Sequence, residues 1–224
     1  MRRFFIFACL AVPLMSQAIV IDDFNIPYSR TISTGTWVDY QTDPTLFTGE
    51  RDVQFEALLG SGGSPSVEIG QGQLTVTNGP QGRSWVQLEY DGVGDEEGNT
   101  GPGRTLRHAS NPTHSFPEGT NKIRFFVASC NMRFTVGMSL VQNGIPLYHN
   151  SRTVDPGVDQ VVDVPLSTQA FAECDAIILD VYVSRPGAEV TLTSVALVPE
   201  ASSLIGVASG LALLSAGRLR KAKP

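Results

Sequence analysis

Apolar and polar residues alternate along much of this chain. In Arg51–Leu59, Val53, Phe55, Ala57 and Leu59 fall on one side and Asp52, Gln54 and Glu56 on the other. A period of two is that of a half-buried strand. Lys122–Ser129 reads the same way, with Ile123, Phe125 and Val127 set against Lys122, Arg124 and Phe126, and Met132–Val141 puts Phe134, Val136, Met138 and Leu140 on one face. Shorter β-type runs occupy Ile19–Phe24, Ser66–Ile69, Gln73–Thr77, Ser84–Tyr90, Val158–Val164, Ala176–Ser184 and Glu189–Val198. Turn-forming residues separate them at Gly60–Pro65, Gly70-Gln71-Gly72, Asn78-Gly79-Pro80 and Arg185-Pro186-Gly187, and Asn143-Gly144 predicts a tight hairpin into Ile145–Asn150. Asp91–His114 is polar and Gly/Asn-rich, as a long loop would be, and no amphipathic helix stands out. About ten short strands in this rhythm predict an all-β chain, an antiparallel β-sandwich of jelly-roll-like form.

The two ends break the pattern. Arg2-Arg3, the apolar run Phe4–Met15 and Ser16-Gln17-Ala18 have the layout of a signal peptide, 1–18, cleaved after Ala18 by signal peptidase. At the other end Val198-Pro199-Glu200-Ala201-Ser202 precedes an uncharged stretch, Leu204–Gly217, and then Arg218, Arg220, Lys221 and Lys223. As a helix that stretch is roughly 21 Å long against a hydrocarbon core of ~30 Å, so it is a weak span that flanking arginines lengthen by snorkelling. The expected organisation is a signal helix (1–18), a sandwich ectodomain (19–197) and a tail with a transmembrane helix (198–224).

The tail resembles the PEP-CTERM sorting signal of Gram-negative bacteria. Val198, Pro199, Glu200 and Ser202 fit its motif, while Ala201 stands where a second proline is usual. The resemblance implies passage through the inner membrane, removal of the tail by an exosortase, and a final place at the cell surface or outside it, often in an exopolysaccharide or biofilm matrix. Val20-Ile21-Asp22-Asp23-Phe24, Thr48–Val53 and Val86–Gly92, in that order, resemble the ectodomains attached to such tails. More remotely they are similar to galactose-binding-like jelly rolls, which include carbohydrate-binding modules. Members of that fold often hold a structural calcium between an early acidic residue and the last strand. Here Thr193 and Ser194 stand where the acidic ligand is wanted.

Charge sharpens the picture. The chain has 16 basic and 22 acidic residues, net −6. Setting aside the six basic residues of the two ends and Glu200 leaves 10 and 21, net −11. So acidic a surface argues against nucleic acid as a partner. The exported part keeps Cys130 and Cys174. In an oxidising compartment such a pair predicts a disulfide, closing a loop of about 45 residues and contributing roughly 3–4 kcal/mol; two separately buried thiols are the other reading.

Candidate chemistry is sparse. Asp91, Asp95 and Glu97 place oxygen ligands in one loop, as Ca²⁺ would need, but without the spacing of an EF-hand; a solvated acidic loop is the commoner meaning of such a run. No other cofactor is implied. His108, His114 and His149 lack partners at metal-ligand spacing, and no nucleophile elbow or Cys–His arrangement appears. Glu50 and Asp52 flank Arg51 and are expected to form an ion-paired cluster with Arg51 or Arg124 rather than a catalytic pair. Among the aromatic residues (Trp37, Tyr40, Trp85, Tyr90, Tyr148, Tyr182), Trp85 shares a strand face with Gln87 and Glu89 and is the candidate platform for a sugar ring. The expectation is a non-enzymatic binding or structural protein with extracellular polysaccharide as partner; the alternative is a secreted carbohydrate-active enzyme.

Overall fold

The computed structural model describes residues 18–59, 63–93, 101–104 and 119–199. Within them the alternating runs form strands: β1 (Ile19–Asp22), β2 (Tyr28–Thr31), β3 (Gly35–Thr42), β4 (Glu50–Leu59), β5 (Ser66–Gly70), β6 (Gln73–Thr77), β7 (Arg83–Tyr90) and β8 (Gly101–Pro102). They continue as β9 (Thr120–Cys130), β10 (Phe134–Gln142), β11 (Ile145–Val154), β12 (Gly157–Pro165), β13 (Ala176–Val183) and β14 (Glu189–Pro199). Among the described residues these make two seven-stranded antiparallel sheets. The first runs β12-β9-β14-β6-β5-β2, with β1 also paired to β14; the second runs β11-β10-β13-β7-β4-β3-β8. The all-β sandwich is therefore as expected.

The period-two pattern builds the core directly. In the second sheet Phe55 lies opposite Val86, Val86 opposite Val181 and Val181 opposite Val136, all buried. In the first, Val127, Leu192, Leu74 and Ile69 form the facing row. Each row turns its alternate neighbours outward, so a single register decides both the core and the two outer faces. The Asn143-Gly144 hairpin forms where expected, with φ of 50° and 75°, the left-handed pair a two-residue turn requires.

Periodicity marks neither β2 nor β3, nor the two-residue β8 within the expected loop, nor one helical turn. Tyr28–Thr31 and Gly35–Thr42 are strands whose apolar members are separated by Ser, Arg, Asp and Gln, so periodicity alone did not mark them. The helix α1 (Thr168–Glu173) is six residues long, too short to display a helical stripe. Its one legible signal is Ser167, whose side chain accepts from the Ala170 amide at 3.3 Å as an N-cap.

The cluster expected of Glu50 and Asp52 with Arg51 or Arg124 is not the one either arginine forms: Arg51 pairs with Asp22 and Arg124 with Asp163. Adjacent strand residues face opposite ways, so Arg51 turns into the core while its acidic neighbours turn out. Its guanidinium is fully buried against Asp22 at 2.6 Å, donates to the Ile26 carbonyl at 2.8 Å and bonds Gln41 Oε1. The Tyr90 hydroxyl donates to Asp22 Oδ2 at 2.6 Å, and Asp22 Oδ1 caps the Phe24 amide at 2.7 Å. Burial and the adjacent Asp22 charge push the Tyr90 hydroxyl well above its ordinary pKa. This network fastens β1, of the first sheet, to β4 and β7, of the second. Arg124 pairs instead with Asp163 across β9 and β12.

Cys130 and Cys174 are both free and buried. Cys130 ends β9 and donates to the Asp155 carbonyl; Cys174 follows α1 and donates to the Phe171 carbonyl. Cys130 lies at the β10 end that begins with Phe134, whereas the Asp175 amide bonds the Val141 carbonyl at the other end. Seven strand steps put the thiols on the order of 20 Å apart, against the ~6 Å between Cα atoms that a disulfide spans. The predicted bridge is not formed. Val198 and Pro199, the first letters of the tail motif, are the last residues of β14, paired with Lys122 and Thr120. Glu200, Ala201, Ser202 and the apolar stretch lie outside the described residues, as does the leader before Ala18, which is itself exposed. Among the described residues no helix is long and apolar enough to cross a membrane.

Candidate functional site

The outer face of the second sheet carries polar side chains in cross-strand rows. Gln87 lies opposite Asp180, Asp180 opposite Gly137, and Gly137 opposite Ser151. The next row runs Glu56, Trp85, Tyr182, Thr135, and on the other side Asp52, Glu89, Ile178, Ser139, His149. Over β7, β13, β10 and β11 these rows enclose an open groove of about 480 Å³. Four strands at ~4.8 Å spacing make it roughly 15 Å across, long enough for a short oligomer.

Its floor is cross-braced. Trp85 Nε1 donates to Asp180 Oδ1 at 2.9 Å and Gln87 Nε2 donates to the same oxygen at 3.0 Å. Gln54 Nε2 in turn donates to Gln87 Oε1 at 2.7 Å, so a chain of amides orders the carboxylate from behind. Burial raises the Asp180 pKa above its ordinary value, the two hydrogen bonds opposing the shift only in part. Ser139 Oγ and His149 Nδ1 are 3.0 Å apart at the far rim. Trp85 itself is half-buried: its ring edge is tied down while the ring borders the groove. An indole so fixed has lost its rotamer freedom before any ligand arrives, which lowers the entropic cost of binding.

Gly137 shapes the floor by omission. A Cβ there would lie 3.2 Å from the Asn150 carbonyl oxygen, 3.2 Å from Ser151 Cβ and 3.6 Å from Asp180 Cβ. Any side chain at this position would fill the depression between Asp180 and Ser151.

The other candidates fall elsewhere. Trp37 pairs with Phe55, so it faces inward at the sandwich edge, with the Arg30 guanidinium 4.0 Å over its ring. Tyr90 belongs to the buried Asp22 network, and Tyr148 reaches the Pro165 carbonyl at 3.3 Å. Tyr182 lines the groove beside Trp85. Asp91 is buried with Asp52 and Glu89, their carboxylate oxygens within 4.8 Å of one another. None of the three is without a partner, and a trio of carboxylates so placed could hold a metal ion. Asp95, Glu97, His108 and His114 lie outside the described residues. Thr193 donates to the Phe126 carbonyl at 3.4 Å within the first sheet, and Glu50 is buried on the Asp52 side of β4. Asp52, Glu89 and Asp180 were legible as acidic positions, but their neighbours depended on strand pairing that no local motif encodes.

Neither a protein-family model nor a curated protein matches this chain. Solved structures similar in outline include the family 11 carbohydrate-binding module of a cellulosomal cellulase of Clostridium thermocellum. It is 13% identical, with a TM-score of 0.34 over 82% of this chain and 95% of that one. TmCBM61, in complex with β-1,4-galactotriose, is 10% identical with a TM-score of 0.37 over 80% and 91%. The enzymatically active domain of tailspike protein 4 of bacteriophage CBA120 is 10% identical with a TM-score of 0.32, covering 78% of this chain and 20% of that one.

Proposed function

We propose that this protein is an exported, non-catalytic carbohydrate-binding protein whose sugar site is the groove around Trp85. The observation that carries the reading is the pinned indole: an aromatic face bordering an open groove, fixed by a buried carboxylate and surrounded by hydroxyl, amide and imidazole groups. A sugar presents apolar C–H faces and a rim of hydroxyls, and this surface offers a partner to each. Affinity electrophoresis in gels containing plant and bacterial polysaccharides tests it. Retardation by at least one of them, lost in Trp85→Ala, is expected; retardation unchanged by Trp85→Ala removes the site from this groove.

The same reading includes processing at both ends. The leader 1–18 would be removed after Ala18, and an exosortase would remove the tail close to Pro199-Glu200, leaving a surface or matrix protein. Support comes from the sequence of the two ends, with the motif beginning at Val198 and Pro199, the last residues of β14. Intact-mass measurement of the protein from its native host is the check. A species ending near Pro199 is expected, and one ending at Pro224 on exported protein sinks the idea.

A further inference from the structure

Among the described residues, the groove is lined by one carboxylate, Asp180, one imidazole, His149, and the hydroxyls of Thr135, Ser139, Ser151 and Tyr182, with no lysine or arginine. Arg152, next to Ser151, lies opposite the core residue Val136, on the other side of β11, and donates to the Ser151 carbonyl at 3.1 Å. Glu56 is the cross-strand neighbour of Trp85 at the opposite rim. The floor over Gly137 is open because that residue has no side chain.

We propose that the groove takes uncharged sugar residues, one of them seated over Gly137 against Asp180, and rejects glycans that carry carboxylate or sulfate groups. This rests on the reading of the groove as a sugar site. Both described donors to Asp180 converge on Oδ1, so Oδ2 is the acceptor left for ligand hydroxyls, a charge-assisted contact stronger than one between neutral groups. An anionic substituent in the same place would meet that carboxylate with no guanidinium or ammonium among the described lining residues to answer it. Like charges so placed penalise the wrong ligand more than they favour the right one.

The test uses the full chain with matched polymers: hydroxyethyl-cellulose, galactan and xylan against carboxymethyl-cellulose, polygalacturonate and chondroitin sulfate. Trp85-dependent retardation by a neutral polymer is expected, with anionic polymers weaker by tenfold or more, on the order of one strong like-charge contact. Asp180→Asn, which keeps an acceptor for Trp85 and Gln87, should narrow that ratio. Gly137→Val should abolish binding; because it could also disturb β10, Ser151→Leu on the edge strand β11 serves as a second way to fill the groove. The discrimination should survive about 0.5 M salt, where the field of the acidic surface is screened within a few ångströms. Loss of discrimination in salt, or an anionic polymer bound as tightly through Trp85, overturns the selectivity and leaves the sugar site standing. No Trp85-dependent retardation by any polymer brings down the sugar site and this inference together.

Discussion

Asp22 and Asp180 are each held by an aromatic donor and side-chain nitrogen donors, yet the two surroundings differ in one respect. Asp22 receives Tyr90 and the Arg51 guanidinium and is sealed from solvent, so its charge is matched where it stands. Asp180 receives Trp85 and Gln87, both neutral, and borders the groove. A buried carboxylate with a matched cation is a fastener. One ordered by neutral donors at an open surface keeps an unmatched charge and a free oxygen, which is what recognition of a hydroxyl-bearing ligand needs.

The largest effect expected from this contrast is on the fastener. Arg51→Met leaves Asp22 charged and buried without its partner, and should lower unfolding stability by about 3–5 kcal/mol in urea denaturation. If the loss is under 1 kcal/mol, the network is not what joins β1 to the second sheet. Trp85→Phe separates packing from polarity at the other carboxylate. It keeps a ring at the groove but drops the Nε1 bond to Asp180, and should cost about 1 kcal/mol of binding or less in calorimetry with a bound polymer. A loss as large as that in Trp85→Ala would mean that the indole N–H, not the ring face, is the main contact.

The two outer faces respond to acid in opposite ways. Asp163 is held down at about 2, first by its Arg124 hydrogen bond and then by Lys122, and is a third exposed, so its contribution is modest. Its folded pKa lies below the ordinary 3.8, so the stability it supplies is complete above 3.8 and is lost as pH falls through about 2. Thermal midpoints of the protein and of Asp163→Asn should therefore differ slightly at neutral pH and converge between about pH 4 and 2. Asp180, with its pKa raised, works the other way: its charge opposes folding at neutral pH, and the opposition fades as acid protonates it. Asp180→Asn should leave the neutral-pH midpoint unchanged or slightly higher. A clear drop would show that the negative charge, and not merely an acceptor oxygen at that place, is needed to hold Trp85 and Gln87.

The smallest expected signal comes from the cysteines. Burial and neighbouring Asp175 push the Cys174 thiol up to about 12, which leaves almost no thiolate at neutral pH. Both thiols should label with iodoacetamide only after unfolding, and the native mass should show both reduced; a mass lower by two hydrogens would restore the disulfide.

How far the sequence alone reaches varies along the chain. Val53-x-Phe55-x-Ala57 and Phe134-x-Val136-x-Met138 announce strand and buried face together, because a strand's side-chain period is two whatever its partners. Asn143-Gly144 announces its hairpin, because few other dipeptides tolerate two left-handed residues. Gly35–Thr42 does not announce itself, since a strand near the sheet edge with a half-covered face needs no clean alternation. Cys130 and Cys174 mislead, because equal plausibility in sequence hides that they sit at opposite ends of β9 and β10.

Trp85, Gln87 and Glu89 were legible as one polar strand face, and with them the possibility of a surface tryptophan. The chain by itself also determined the sandwich class and the acidic balance, both of which follow from local composition and periodicity. The tertiary structure decided which residues meet. Asp180 reaches Trp85 across ninety-five positions of sequence, Arg51 reaches Asp22 across twenty-nine, and the gap at Gly137 becomes a floor only when β10 lies between β13 and β11. Strand pairing is non-local, and a groove read across four strands exists only once that pairing is made.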